Sequence, residues 1–153
     1  MVEGHPPYEA YATIAGAFLG GLAVVAALSR RSPPSHALDY LALSAATFKA
    51  SRTLSRERVG SFMRQPFVEG DADHGDDERP AGEGLQRAIG ELVTCPRCLG
   101  TWSAAVLAST QMLSPRFGRL LTWSLGASAA NDFLQAGFAA LCAKVNNLED
   151  EAP

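Results

Sequence analysis

The chain has 153 residues, 47% of them apolar and 19% charged, with a formal net charge of -3. The charged share lies below the ~25% of an ordinary soluble domain, and the length leaves room for one domain. Three cysteines are too few for a disulfide-stapled secreted scaffold, and a basic stretch set beside an acidic one with few aromatics excludes a nucleic-acid binder.

In chain order, Ala10 to Ser29 is the first candidate element, 20 residues without a charge. A bilayer core of about 30 Å takes ~20 apolar residues of helix, so this run predicts a transmembrane span. Ala12, Gly16 and Gly20 recur every fourth residue, the small-residue spacing of helices that pack closely in lipid. A cleaved signal peptide would carry basic residues before the run, whereas Arg30 and Arg31 follow it.

Leu38, Leu41, Ala45 and Phe48 then recur at helical spacing, and Leu54, Val59, Phe62 and Met63 continue the thread among Arg52, Arg56, Arg58 and Arg64. The pattern over 36–66 predicts a basic amphipathic helix at the membrane surface, ended by Pro66. A short span ending at Lys49 is the alternative. Residues 69–84 hold seven acids, one Arg and four glycines, which predicts an acidic mobile loop. Residues 145–153 form a similar acidic tail.

Cys98 to Pro115 is a second charge-free run of 18 residues, with Gly100, Ala104 and Ala108 placing small residues on one face. Leu120 to Ala143 is a third, 24 residues broken only by Asp132. Pro115 and Gly118 mark a turn between them, so the two runs predict a helical hairpin. Tyr11, Trp102 and Trp123 lie near the ends of the predicted spans, where interfacial aromatics sit. Seven bases between Arg30 and Arg64 predict a cytoplasmic segment and an external N-terminus. The Cys98 run then leads outward and the last run returns.

The expected fold is an all-α integral membrane protein, a single domain over residues 1–153. It has about three transmembrane helices plus one amphipathic interfacial helix, and lies multi-pass in the bacterial cytoplasmic membrane. Its expected partners are the lipid bilayer and either further copies of itself or another membrane protein, with no nucleic acid. Gly16, Gly20, Ala104 and Ala108 are the expected packing residues.

The most specific local stretch is Thr94-Cys95-Pro96-Arg97-Cys98-Leu99-Gly100-Thr101-Trp102. Upstream lie Asp39 to Leu43, Thr47-Phe48-Lys49, Arg52-Thr53-Leu54 and Arg64-Gln65-Pro66-Phe67. Together these resemble the signature of a bacterial membrane-protein family known as domain of unknown function thirteen-sixty, over about residues 38–135. Pro96, Gly100 and Trp102 are its signature positions beside the two cysteines. The chain departs from the pattern at Lys49, where the family usually carries Arg, and in its acidic insertion. The resemblance implies a class and no reaction.

The cysteines themselves admit three chemistries. A helix N-terminus beside Arg97 favours thiolate. Thiolates bind zinc, and Cys95 with Cys98 would supply two of the four ligands of a structural site. His74, Cys142 or a second chain could furnish the rest. Thiolates also exchange with disulfides, although an inner-face location favours the reduced state. Thirdly, the pair can be a purely structural feature of a tight helix entrance. Asp132 is the other unusual residue: a carboxylate at the centre of a membrane helix costs on the order of 2.5–3.5 kcal/mol and seeks a partner, with Lys49 or Arg52 as candidates. The leading functional expectation is a non-enzymatic membrane accessory or assembly protein. The alternatives are a thiol–disulfide redox protein using Cys95 and Cys98, and a zinc-stapled oligomer.

Overall fold

A computed structural model describes residues 8–29, 36–70 and 78–147, with the last helix traced to Asp150. Among the described residues the chain is mainly helical, with one two-residue antiparallel β-pair. Helix α1 spans Tyr8–Leu28, α2 Ala37–Arg56, the short α3 Ser61–Arg64, α4 Gly84–Thr94, α5 Pro96–Leu113 and α6 Pro115–Asp150. Strands β1, Val68–Glu69, and β2, Arg79–Pro80, pair in the register Val68 to Pro80 and Glu69 to Arg79.

Helices α2, α5 and α6 form the packed centre, and α1 lies along α5 and α4. At the start of α2, the Asp39 carboxylate accepts the backbone N–H of His36 at 3.0 Å, which satisfies a donor that the first helical turn leaves free. The helix stops at Arg56, because Glu57 turns to an extended conformation with φ -81° and ψ 150°. The single helix expected over 36–66 is therefore a helix followed by a compact turn. Gly60 permits that turn: a Cβ there would sit 2.5 Å from the Leu54 carbonyl oxygen and 2.6 Å from that of Thr53.

The expected hairpin of α5 and α6 is present, and it is tighter than a loop over 114–119 implies. Only Ser114 separates the helices. Pro115 starts α6, where its fixed φ suits the first helical position. Arg116 and Arg119 are consequently helical. Gly118 lets the first turn of α6 cross the last turn of α5, since a Cβ there would lie 2.5 Å from the Gln111 backbone. One turn later, the Gln111 amide donates to the Thr122 hydroxyl at 2.7 Å.

The distribution of polarity is inverted. The buried apolar side chains among the described residues are Leu107 and four alanines, whereas Ser51, Ser55, Arg64, Glu78, Ser103 and Thr122 are buried polar groups. Leu38, Leu41, Phe62, Phe133, Leu134, Phe138 and Leu141 are each more than 60% exposed. Helices α2 and α6 meet on small residues: Ala46 and Ala129 are fully buried, and a Cβ on Gly126 would be 3.2 Å from the Ala42 carbonyl oxygen. The large apolar side chains face outward.

Of the three expected spans, one meets the requirement by length and composition. Helix α1 is long and apolar enough to cross a membrane. In α6, Ser124, Ser128, Asn131, Asp132 and Gln135 dilute the apolar run, and α5 begins with Pro96-Arg97 and carries Thr101, Ser103, Ser109 and Thr110.

The expected acidic loop is tied at its base. Glu69 and Arg79 belong to the β-pair, and Glu78 is buried; residues 71–77, with His74, lie outside the described residues. Helix α4 follows directly. Its Ala88 is buried, and Gly90 lies so close to the β-pair that a Cβ would be 2.5 Å from the Phe67 carbonyl oxygen. The expected tail at 145–153 begins as a continuation of α6.

Candidate functional site

The break between α4 and α5 creates the thiol pair. Thr94 ends α4, and Cys95 takes an extended conformation with φ -98° and ψ 106° as the N-cap of α5. Pro96 occupies the first helical position. Cys95 Sγ accepts the backbone N–H of Cys98 at 3.3 Å. The sulfur thus does what a Ser or Asp oxygen does at an N-cap. The Cys98 thiol donates to Cys95 Sγ, and both cysteines are free thiols.

Burial works against ionisation of Cys95. Hydrogen bonds from the Cys98 thiol and from the backbone N–H groups of Cys98 and Arg97, together with the Arg97 charge, outweigh it and hold the Cys95 thiol below the usual range. Cys95 is half-buried and Cys98 exposed, so the pair is reachable. Cys142 is exposed on α6. Among the described residues no three His, Cys, Asp or Glu side chains gather as a metal-binding group.

The other signature positions surround the pair. Gly100 faces α2, where a Cβ would be 3.9 Å from the Ser51 side chain. Trp102 meets Phe18 of α1 edge to face, with ring centroids 4.9 Å apart. Between α1, α4 and α5 lies an open cavity of about 500 Å³, walled by Tyr11, Phe18, Leu92, Cys98 and Trp102. Tyr11 donates a hydrogen bond to the Glu91 carboxylate on its rim, and Arg87 holds the other Glu91 oxygen at 3.2 Å.

Asp132 has the partner that its position demands. Lys49 Nζ lies 2.9 Å from Asp132 Oδ2 and 2.9 Å from Glu57 Oε1. Phe48 stacks on Phe133 beside it, with ring centroids 5.4 Å apart. Arg52, the other candidate, is exposed. The expected packing residues divide. Ala104 and Ala108 are half-buried within the fold, whereas Gly16 and Gly20 of α1 have open space where a Cβ would be.

One buried ion pair has no precedent in the sequence reading. Arg64 is fully buried, and its Nε and Nη2 bind the two oxygens of Glu78 at 2.6 and 3.0 Å. Its Nη1 donates to the carbonyl oxygens of Leu54 at 2.7 Å and Glu57 at 3.1 Å. The guanidinium therefore caps the C-terminus of α2 and fastens the acidic segment to it. No helical periodicity pairs Arg64 with one acid out of seven in a loop.

The family model described as "Protein of unknown function (DUF1360)" matches residues 42–138. The chain belongs to the DUF1360 family. No curated protein and no solved structure matches it. The DUF1360 stretch contains the thiol pair, the Lys49–Asp132 contact and the Arg64–Glu78 clamp. Helix α1, which closes one side of the cavity, precedes it.

Proposed function

We propose that this DUF1360 protein is a small multi-pass protein of the bacterial cytoplasmic membrane whose Cys95–Cys98 pair works in thiol–disulfide exchange. The membrane reading draws on the inverted polarity: an interior of alanine, serine and paired charges with large apolar side chains outside suits a hydrocarbon solvent. In this reading α5 and α6 cross beside α1. The exchange reading is carried by the contact between the two sulfurs at the N-cap of α5.

The step balances with a disulfide as oxidant. The Cys95 thiolate attacks one sulfur of the partner disulfide, and the second partner sulfur leaves as a thiolate. Cys98 then gives its proton to the partner thiolate already released and attacks Cys95 Sγ, closing the Cys95–Cys98 bond and releasing the first partner sulfur. Two electrons pass from the protein to the partner.

A second reading, assembly with further copies or another membrane protein, is favoured by the uncovered Ala12, Gly16 and Gly20 face of α1. Redox titration of the membrane-extracted protein tests the first reading. Glutathione buffers are varied and free thiols are counted by maleimide mass tagging. Cys95 and Cys98 should lose their tags together as one two-electron couple while Cys142 keeps its own. Retention of both tags in fully oxidised glutathione sinks the exchange reading, and bound zinc at one ion per two chains reassigns the pair to a four-thiolate staple.

A further inference from the structure

The far half of α6 leaves the bundle. Helix α5 is 18 residues long and only Ser114 separates it from α6, so α6 draws level with the start of α5 near Phe133. From Phe133 to Asn147 every side chain of α6 is exposed. The apolar ones are not scattered. Leu134, Phe138, Leu141 and Val145 stand four, three and four residues apart, each more than half exposed, and Leu148 continues the spacing. Alternating steps of three and four make the 3.5-residue repeat of a coiled-coil seam, with Phe138 and Val145 at position a and Leu134 and Leu141 at position d. The repeat also runs back along the half of α6 that packs in the bundle, through Asn131, Ala127 and Ser124, all exposed. Small and amide side chains of this kind let helices approach and bond in lipid. At about 100° per residue, the seam lies on the side of α6 roughly opposite Gly126 and Ala129, which are buried in the bundle. Two bundles could therefore bring their seams together without collision.

We propose that α6 pairs with α6 of a second copy of this chain, as a parallel two-stranded coiled coil along the seam from Ser124 to Leu148. The proposal rests on the assembly reading above and moves its surface from α1 to α6. The seam itself selects this occupant. Leucine at d with phenylalanine and valine at a matches its own copy across a two-fold axis. Asn131 stands at a, where an amide facing its counterpart fixes register. Charge agrees with the parallel arrangement. Lys144 holds position g and Glu149 the next position e, the five-residue offset at which a cation on one helix reaches an acid on the other. Two copies inserted in a membrane with one orientation hold their α6 helices parallel. Beyond the bundle the pairing removes leucine, phenylalanine and valine from water.

The test uses the full chain in membrane vesicles, in a Cys95→Ser, Cys98→Ser, Cys142→Ser background. Under copper-phenanthroline oxidation, Leu141→Cys on the seam should form a disulfide-linked dimer, because position d brings the two backbones within disulfide reach. Ala143→Cys, on the outer face of the same turn, should stay monomeric. In detergent, sedimentation should show a dimer whose association weakens about tenfold in Lys144→Glu, since two attractive contacts per dimer become repulsive. Lys144→Glu combined with Glu149→Lys should restore it. Lys144 lies beyond the bundle, so the thermal unfolding of these variants should match the parent. No cross-link at Leu141→Cys, or equal cross-linking of Leu141→Cys and Ala143→Cys, overturns the proposal, the second result marking a helix that faces lipid on all sides. Failure of the charge exchange to restore the dimer overturns it as well. Cross-linking through Gly16→Cys without any through Leu141→Cys removes this proposal and leaves the assembly reading standing on α1. A chain that is monomeric by every measure removes both.

Discussion

Replacing Glu78 by Gln should break a buried ion pair and destabilise the fold strongly. Arg64 and Glu78 have side-chain exposures of 0% and 1%, so neither group can turn to solvent when the other is altered. Removing one partner of a buried pair costs roughly 3–5 kcal/mol, most of it the cost of the charge left behind. Arg64 also binds the carbonyls of Leu54 and Glu57, so Arg64→Met adds about 1–3 kcal/mol for buried acceptors left unmet. The double variant Arg64→Met, Glu78→Leu has no stranded charge and should lose only the carbonyl contribution. The two singles should therefore be strongly non-additive, with a coupling of a few kcal/mol. Thermal unfolding in detergent, followed by circular dichroism, reads this as a drop on the order of 10 °C for either single variant and a smaller drop for the double. A Glu78→Gln variant within about 1 °C of the parent, or additive losses in the double, would refute the claim that this clamp holds α2 to the acidic segment.

Further outcomes follow from the remaining contacts. Lys49→Met leaves two part-exposed carboxylates without their cation, whereas Asp132→Asn leaves Lys49 paired with Glu57; the lysine change should cost more, by up to about 1 kcal/mol in the same unfolding assay. Gly60→Ala drives a methyl into two carbonyls and should destabilise by about 1–3 kcal/mol, while Gly137→Ala, where a Cβ meets open space, should be neutral or gain up to ~1 kcal/mol. Alkylation of Cys95 should persist below the usual thiol range and fade as pH drops through the depressed Cys95 value. Cys98→Ala removes a hydrogen bond to the thiolate, so the same rate profile should move to higher pH. An impermeant maleimide applied to intact cells should leave Cys95 and Cys98 untagged if the Arg30–Arg64 segment is cytoplasmic.

The features legible in the sequence were those carried by local pattern. Pro115 with Gly118 placed the α5–α6 hairpin, and Cys95-Pro96 placed a helix entrance. The cost of an unpaired acid at Asp132 pointed to Lys49 or Arg52, and Lys49 is the one in contact. The character of α2 was harder to read, because amphipathicity was judged by its large apolar side chains. Its buried face is Ala46, Ser51 and Ser55, and Leu38 and Leu41 point away. Helix α4 lies beyond the acidic stretch at 69–84, and Leu85, Ala88, Ile89 and Leu92, although at helical spacing, form a run too short to stand out as an apolar segment. The Arg64–Glu78 clamp and the Tyr11–Glu91 contact join residues far apart in the chain, and such pairings leave no trace in periodicity.

The length of α6 has a mechanical consequence. Its contacts with α2 reach as far as Lys49–Asp132 and Phe48–Phe133, and Leu134 onward is exposed helix to the limit of the described side chains. From Leu134 to Asp150 the helix is about 25 Å long. A rod held at one end is a lever with its fulcrum at the Lys49 ion pair. A rotation of ~10° there swings the far tip by about 4 Å, so loosening one salt bridge inside the bundle would be read out as displacement at its end.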